Sequence, residues 1–149
     1  MNSEQQLCTF FVDGLFLGVE VQKVQEVIRY QEMTRVPLAP NVIGGLINLR
    51  GQIITAVDLR QRLDLRPRKE GEFPMNVVVQ TDDGAMSLLV DDIGDVVEVD
   101  EESFECAPDT LTGVTRDLIR GVYKLEKQLL LLLDTEKAVS SAAMVAHTA

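Results

Sequence analysis

Apolar and polar residues alternate with period two along most of this chain, in short runs rich in Val, Ile, Leu and Phe bounded by Gly, Asp and Pro. That is the pattern of half-buried β-strands. Residues 7–12 lead into Asp13-Gly14 and residues 15–21 lead out. Asp-Gly accepts the positive φ of a type I′ turn, so a hairpin is expected here. Val24, Val27 and Ile28 stand at helical offsets over too short a stretch for a helix, so the pattern predicts a turn and a short strand through Tyr30. Pro37 and Pro40 hold an extended loop with little ladder bonding. Residues 42–59 form the most apolar region, two strands reversing at Arg50-Gly51, where Gly permits a tight turn. Asp58 is placed to cap a short helical turn through Leu59, Arg62 and Leu63. A polar linker spans 67–74.

The second half repeats the theme. Residues 76–81 and 86–90 flank the turn Asp82-Asp83-Gly84, and residues 93–99 alternate once more. Residues 104–117, with Pro108, Gly113 and several Thr, read as loop. Residues 119–125 and 128–133 pair around Glu126-Lys127, and the five leucines at 129–133 imply burial on both strand faces. After Asp134 a short terminal helix that frays is expected. About ten short strands at this spacing predict an all-β chain of one or two small antiparallel barrels. The hydrophobic pattern carries no repeat strict enough to prove duplication.

With 149 residues, 46% hydrophobic and 26% charged, the composition is that of one globular domain and not of a disordered chain. The longest apolar run, residues 129–133, is far short of the roughly 20 residues a membrane helix needs. The polar opening at residues 1–6 predicts no signal peptide. A cytoplasmic location without membrane insertion is the expectation.

The net charge of −10 disfavours nucleic acid as a partner. Residues 82–105 hold ten acids and no Lys or Arg, while Arg60, Arg62, Arg66, Arg68 and Lys69 form a basic cluster. Both runs read as solvated surface. Catalytic parts are sparse: His147 is the single histidine, and Cys8 and Cys106 fit no metal-ligand spacing and read as small core or half-buried thiols. No phosphate-binding loop, nucleophile elbow or zinc motif is present. Asp91, Asp92 and Asp95 lack the spacing of a calcium loop. No cofactor, metal or catalytic residue is expected. A small-barrel hydrolase would have to draw on this acidic run, with Asp91 and Asp95 as its carboxylates.

From Leu17 to Arg60 the chain resembles the CheW family, the coupling proteins of bacterial chemosensory arrays. Val24-Gln25-Glu26-Val27 is similar to the family's Val-x-Glu-Ile stretch, and Thr34-Arg35-Val36-Pro37-Leu38-Ala39-Pro40 to its threonine and Val-Pro/Ala-Pro loop. The run from Ile43 through Gly44-Gly45 and Asn48-Leu49-Arg50-Gly51 resembles its Gly-Val-x-Asn-Leu-Arg-Gly block, and Val57-Asp58-Leu59-Arg60 its Val-Asp-Leu-Arg signature. Weaker echoes follow at Val90-Asp91, Val96, Pro108, Ile119-x-Gly121 and Leu133-Asp134. Leu17 stands in place of a usual tyrosine, Thr55 in place of a proline and Ser87 in place of a glycine.

The resemblance implies two interlocked five-stranded SH3-like barrels with short helical turns and a C-terminal helix. It places the CheW-like domain at residues 5–137 and an Ala/Ser-rich tail at 138–149. It implies a non-enzymatic adaptor joining the cytoplasmic tips of methyl-accepting chemoreceptors to a CheA-type histidine kinase, recruited to membrane receptor arrays. A non-flagellar chemosensory system is the alternative setting, and other CheW-like domains are further candidate partners. Arg50 matches the family arginine of receptor coupling, and its planar fork suits carboxylates or carbonyls of a helix. Glu26 is expected to hold that guanidinium. Val24, Val27, Gly45 and Val96 resemble positions lining the receptor-binding surface, although valines in alternating strands are more often core and Gly45 suits backbone geometry. Kinase-contact residues stay unassigned.

Overall fold

The computed structural model describes residues 4–111 and 113–140. β1 (Glu4–Val12) and β2 (Leu15–Glu20) form a hairpin, and a 3-10 turn at Val21–Lys23 leads into β3 (Val24–Ile28). β4 (Ile43–Leu49) and β5 (Gln52–Asp58) form the second hairpin, followed by α1 (Leu59–Arg62). β6 (Met75–Thr81), β7 (Gly84–Val90) and β8 (Asp92–Asp100) follow, then a 3-10 turn at Glu101–Ser103 and the two-residue β9 (Phe104–Glu105). α2 (Gly113–Leu118), β10 (Ile119–Lys124), β11 (Leu129–Leu133) and α3 (Thr135–Val139) complete the described chain.

The strands make two sheets, ordered β8-β1-β2-β11-β10-β9 and β3-β6-β7-β5-β4. The all-β reading holds. The first sheet has six strands where five were expected, because β8 runs through its 3-10 turn into the short β9, which pairs with β10 at the opposite edge. Counted as one bent strand, the two give the expected five. The sheet must curl for this to happen, and Val99 of β8 shares a small core cluster with Tyr123 of β10 and with Leu130 and Leu132 of β11.

The two sheets have the same plan. In each, a hairpin (β1-β2 or β6-β7) lies parallel to the last strand of another hairpin (β11 or β5), with an outer strand (β8 or β3) on the other flank. Register shifts recur at matching places, Ile43/Gly45 in β4 and Ile119/Gly121 in β10. Asp58, the last residue of β5, and Asp134, the residue after β11, each cap the helix behind the strand, accepting from Arg60 N and Lys137 N. Each half of the chain gives its first hairpin to the sheet that the other half completes. That exchange interlocks the two sheets around one principal core, which includes Phe10, Leu17 and Val19 from the first sheet and Val57, Val77 and Leu88 from the second.

Several local expectations are corrected. β3 stops at Ile28 and not Tyr30, because the buried Asn76 side chain takes the Arg29 carbonyl at 3.1 Å and draws it out of the ladder. The expected loop at 104–117 contains β9 and most of α2, whose Val114 and Leu118, four residues apart, both turn into the principal core. Among the five leucines, Leu130 to Leu133 are buried, while Leu129 at the strand's start is exposed. The core extends through Ala138 and Val139 of α3. Positions 141–149 of the expected tail, with His147, lie outside the described residues.

Candidate interaction surface

The sequence Asn48-Leu49-Arg50-Gly51 builds the tip between β4 and β5. Leu49 pairs with Gln52 across a two-residue turn, and both central residues take positive φ, Arg50 at 52° and Gly51 at 85°. These are the signs a type I′ turn requires. Asn48 secures the turn from below, its Oδ1 accepting from Gly51 N at 2.9 Å. Arginine is not a residue that favours left-handed backbone, and such a conformation costs about 1–3 kcal/mol when a non-glycine holds it.

Arg50 donates from Nη2 to the Glu26 carboxylate. β3 and β4 are the two edges of their sheet, so this pair spans the gap left when the sheet curls. Ile28 of β3 and Leu49 of β4 pack on the same Ile47, Ile54 and Val78 cluster beneath. The Arg50 side chain is 70% exposed and Glu26 21% exposed. An ion pair that open contributes at most about 1 kcal/mol, so its consequence is orientation: it holds the fork of Arg50 while leaving most of it facing water.

The other expected site residues fall at different depths. Val27, next to Glu26, is 38% exposed and Val96 57% exposed, which overturns the core reading for both. Val24 is half-buried against the principal core. Gly45 is buried, and a Cβ there would lie 2.8 Å from the Thr34 carbonyl oxygen and 2.9 Å from Met33 Cβ. Its absent side chain admits the segment at Met33 and Thr34, where Thr34 bridges to Leu46. The structure thus brings Arg50, Glu26 and Val27 to one edge region of one sheet. Val96 lies on β8 of the other sheet. Ile53 on β5, opposite Asn48, is 61% exposed beside the tip and was not anticipated. The signal was the adjacent pair Ile53-Ile54, since neighbours on a strand face opposite ways and only one can enter the core. Leu38, fully exposed at φ 65°, is the most prominent apolar side chain of the Pro37 loop.

The charge runs are not uniformly solvated. Arg62 is buried, and Arg60 and Arg68 are 11% exposed in their side chains. Within the acidic run, Asp91 is half-buried while the other nine are exposed. Desolvation raises the Asp91 pKa, but hydrogen bonds from Arg60 and from Asp13 N, with the charges of Arg60 and Arg68, outweigh it and leave the carboxyl below its ordinary value. A general acid needs the opposite shift. Among the described residues no group of three His, Cys, Asp or Glu is placed to hold a metal ion. Cys8 is half-buried, its thiol pKa pushed up by burial, which suits an inert thiol. Cys106 is exposed, contrary to expectation. No helix among the described residues is long and apolar enough to cross a membrane.

An interlocked pair of small β-sheets, with a held arginine at a strained hairpin tip and exposed aliphatic side chains near it, defines a scaffold domain that presents a surface. The CheW-like domain family matches residues 6–143. "Chemotaxis protein CheW" of Treponema pallidum is 30% identical over 146 residues, covering 95% of this chain and 86% of that protein. The protein of the same name from Bacillus subtilis is 31% identical over 134 residues, covering 90% of this chain and 86% of its own. In fold, the chain is similar to the crystal structure of the scaffolding protein TtCheW from Thermoanaerobacter tengcongensis, with a TM-score of 0.83, 24% identity and 96% of each chain covered. The chain belongs to the CheW-like family of chemotaxis scaffold proteins, which are non-enzymatic adaptors in signal transduction.

Proposed function

We propose that this protein couples the cytoplasmic tips of methyl-accepting chemoreceptors to a CheA-type histidine kinase, and that it reaches the membrane only by joining the receptor array. The observation that supports this reading most is the Arg50 tip. A strained backbone presents a guanidinium that a neighbouring carboxylate orients but does not cover. A receptor hairpin offers carboxylates and carbonyls along a helix, which a planar fork can meet in a fixed geometry. Val27 on the same edge and Val96 on the other sheet supply the apolar part of the surface. Gly45 and Val24 support it from beneath. The kinase contact is a mainly apolar one between like β-domains.

Co-sedimentation tests the coupling. Receptor-bearing membranes are mixed with the purified kinase, with and without this protein. Kinase pelleting only when this protein is present supports the adaptor role. Kinase that stays in the supernatant, while each component is shown to be folded, contradicts it.

A further inference from the structure

Two of the sequence blocks that carry the family resemblance, Val57-Asp58-Leu59-Arg60 and Val90-Asp91, take no part in the surface just described. In the fold they meet. Arg60 donates to Asp91 through both edges of its fork, Nε to Oδ1 at 2.9 Å and Nη2 to Oδ2 at 2.6 Å. Asp91 also accepts from Asp13 N at 2.6 Å, and its own N–H donates to the Phe11 carbonyl at 2.9 Å. Asp58 holds Arg68 at 2.8 Å, Arg68 Nε stands 3.4 Å from Asp91 Oδ1, and Arg66 reaches Asp13 at 3.0 Å.

The position of this network matters more than its size. Asp91 is the residue at which the chain leaves β7 of one sheet and enters β8 of the other. Asp13 belongs to the β1-β2 turn of the sheet that β8 enters. Arg60 lies just beyond the end of β5, whose other end adjoins the Arg50 tip. The shared core between the sheets is built from aliphatic contacts, which set how far apart they lie but act without direction. A two-bond arginine-carboxylate pair is directional. Such half-buried pairs are weak sources of stability, because desolvation offsets their attraction, and their best use is to select one arrangement.

We propose that Arg60 and Asp91 form an orienting clasp between the two sheets and act as positioning residues for receptor binding. They fix β8, which carries Val96, relative to β5 and the Arg50 tip. This rests on the reading that Arg50 and Val96 both face the receptor. The two signature blocks then occur in one chain because each supplies half of the clasp.

The test separates orientation from stability. Spin labels are placed at Gln52→Cys and Glu98→Cys, both exposed and one on each sheet, in a Cys8→Ala, Cys106→Ser background. Their distance distribution is measured by pulsed dipolar spectroscopy, well below the unfolding midpoint. Asp91→Asn removes the charge and keeps an acceptor for Asp13 N–H. Arg60→Met with Asp91→Leu replaces the pair by apolar groups of similar size. Both variants are expected to unfold cooperatively, to give a label distribution at least twice as wide, and to bind a purified receptor-tip hairpin about tenfold more weakly. An unchanged distribution in a folded variant overturns the clasp. A broadened distribution with unchanged affinity overturns its positioning role, provided that Arg50→Glu with the clasp intact weakens binding. Should Arg50→Glu also leave affinity unchanged, the receptor reading itself fails, while the label distances still decide the clasp.

Discussion

The β4-β5 tip and the β10-β11 tip occupy equivalent places in two sheets of one plan, yet they carry different chemistry. In one, the turn is Arg50-Gly51 and the residue before the exposed valine of the outer strand is Glu26. In the other, the turn region is Glu126-Lys127 and the residue before the exposed valine is Asp95. Val27 pairs with Val77 of β6, and Val96 with Cys8 of β1, each partner four residues before the last residue of its strand. Where the sheet that carries Arg50 couples an arginine to an acid, the other sets an acid in both places. The frame is shared, and the two tips differ in a few side chains mounted on it.

The comparison can be broken most sharply at the tips. Moving the arginine, with Arg50→Gln and Glu126→Arg in one chain, is expected to lower receptor-hairpin affinity about as far as Arg50→Gln alone. Equal binding by the transplanted and the original chain would show the two tips to be interchangeable.

The two bulge glycines test the frame itself. A Cβ at Gly121 would lie 2.6 Å from the Glu105 carbonyl oxygen and against the Phe104 ring, and one at Gly45 would lie 2.8 Å from the Thr34 carbonyl oxygen. Each Gly→Ala is expected to destabilise by about 1–3 kcal/mol in urea unfolding, overpacking against backbone that cannot swing aside. The larger loss is expected at Gly121.

A smaller effect is expected where the sheets differ inside. Ser87 donates to Asn76 Oδ1 at 2.7 Å, both fully buried, while the matching positions of the other sheet are Gly18 and Leu7. Ser87→Ala leaves an amide oxygen without that donor and is expected to cost about 1 kcal/mol. Installing the other sheet's pair, Asn76→Leu with Ser87→Gly, should recover much of that loss, as measured by denaturant midpoint.

The smallest expected effect is in acid. Asp13 and Asp91 have folded-state pKa values held below the ordinary carboxylate value. Their contribution is therefore present above about pH 4, the unfolded pKa, and is lost as pH falls through the lower folded values. Asp91→Asn should flatten the fall of thermal midpoint below pH 4, leaving the slope above pH 5 unchanged.

Strands and hairpin turns were legible because a period of two and an Asp-Gly or Arg-Gly pair are local signals. The exchange of hairpins between sheets was not, since partner choice between distant stretches, such as Leu17 with Leu131 and Leu7 with Val97, leaves no periodic trace, and the halves share geometry more than side chains. At the site, Arg50 and Glu26 could be named from the family blocks, and their contact follows from the curl of a sheet whose edge strands carry them. The clasp was hidden because a charge run looks the same whether it is solvated or paired. Only the fold shows that Arg60 and Arg68 turn toward Asp91 while the remaining acids of residues 82–105 face water. Ile53 was missed because alternation fails to choose between adjacent isoleucines without knowing which face is covered.

The most direct test is the affinity of a receptor-tip helical hairpin for the unsubstituted protein and for Arg50→Glu, measured by calorimetry beside the thermal midpoint of each. Binding about 100-fold weaker, roughly 2.7 kcal/mol, with a midpoint within a few degrees of the original, is the result the account predicts. Undiminished affinity in the folded variant would contradict it.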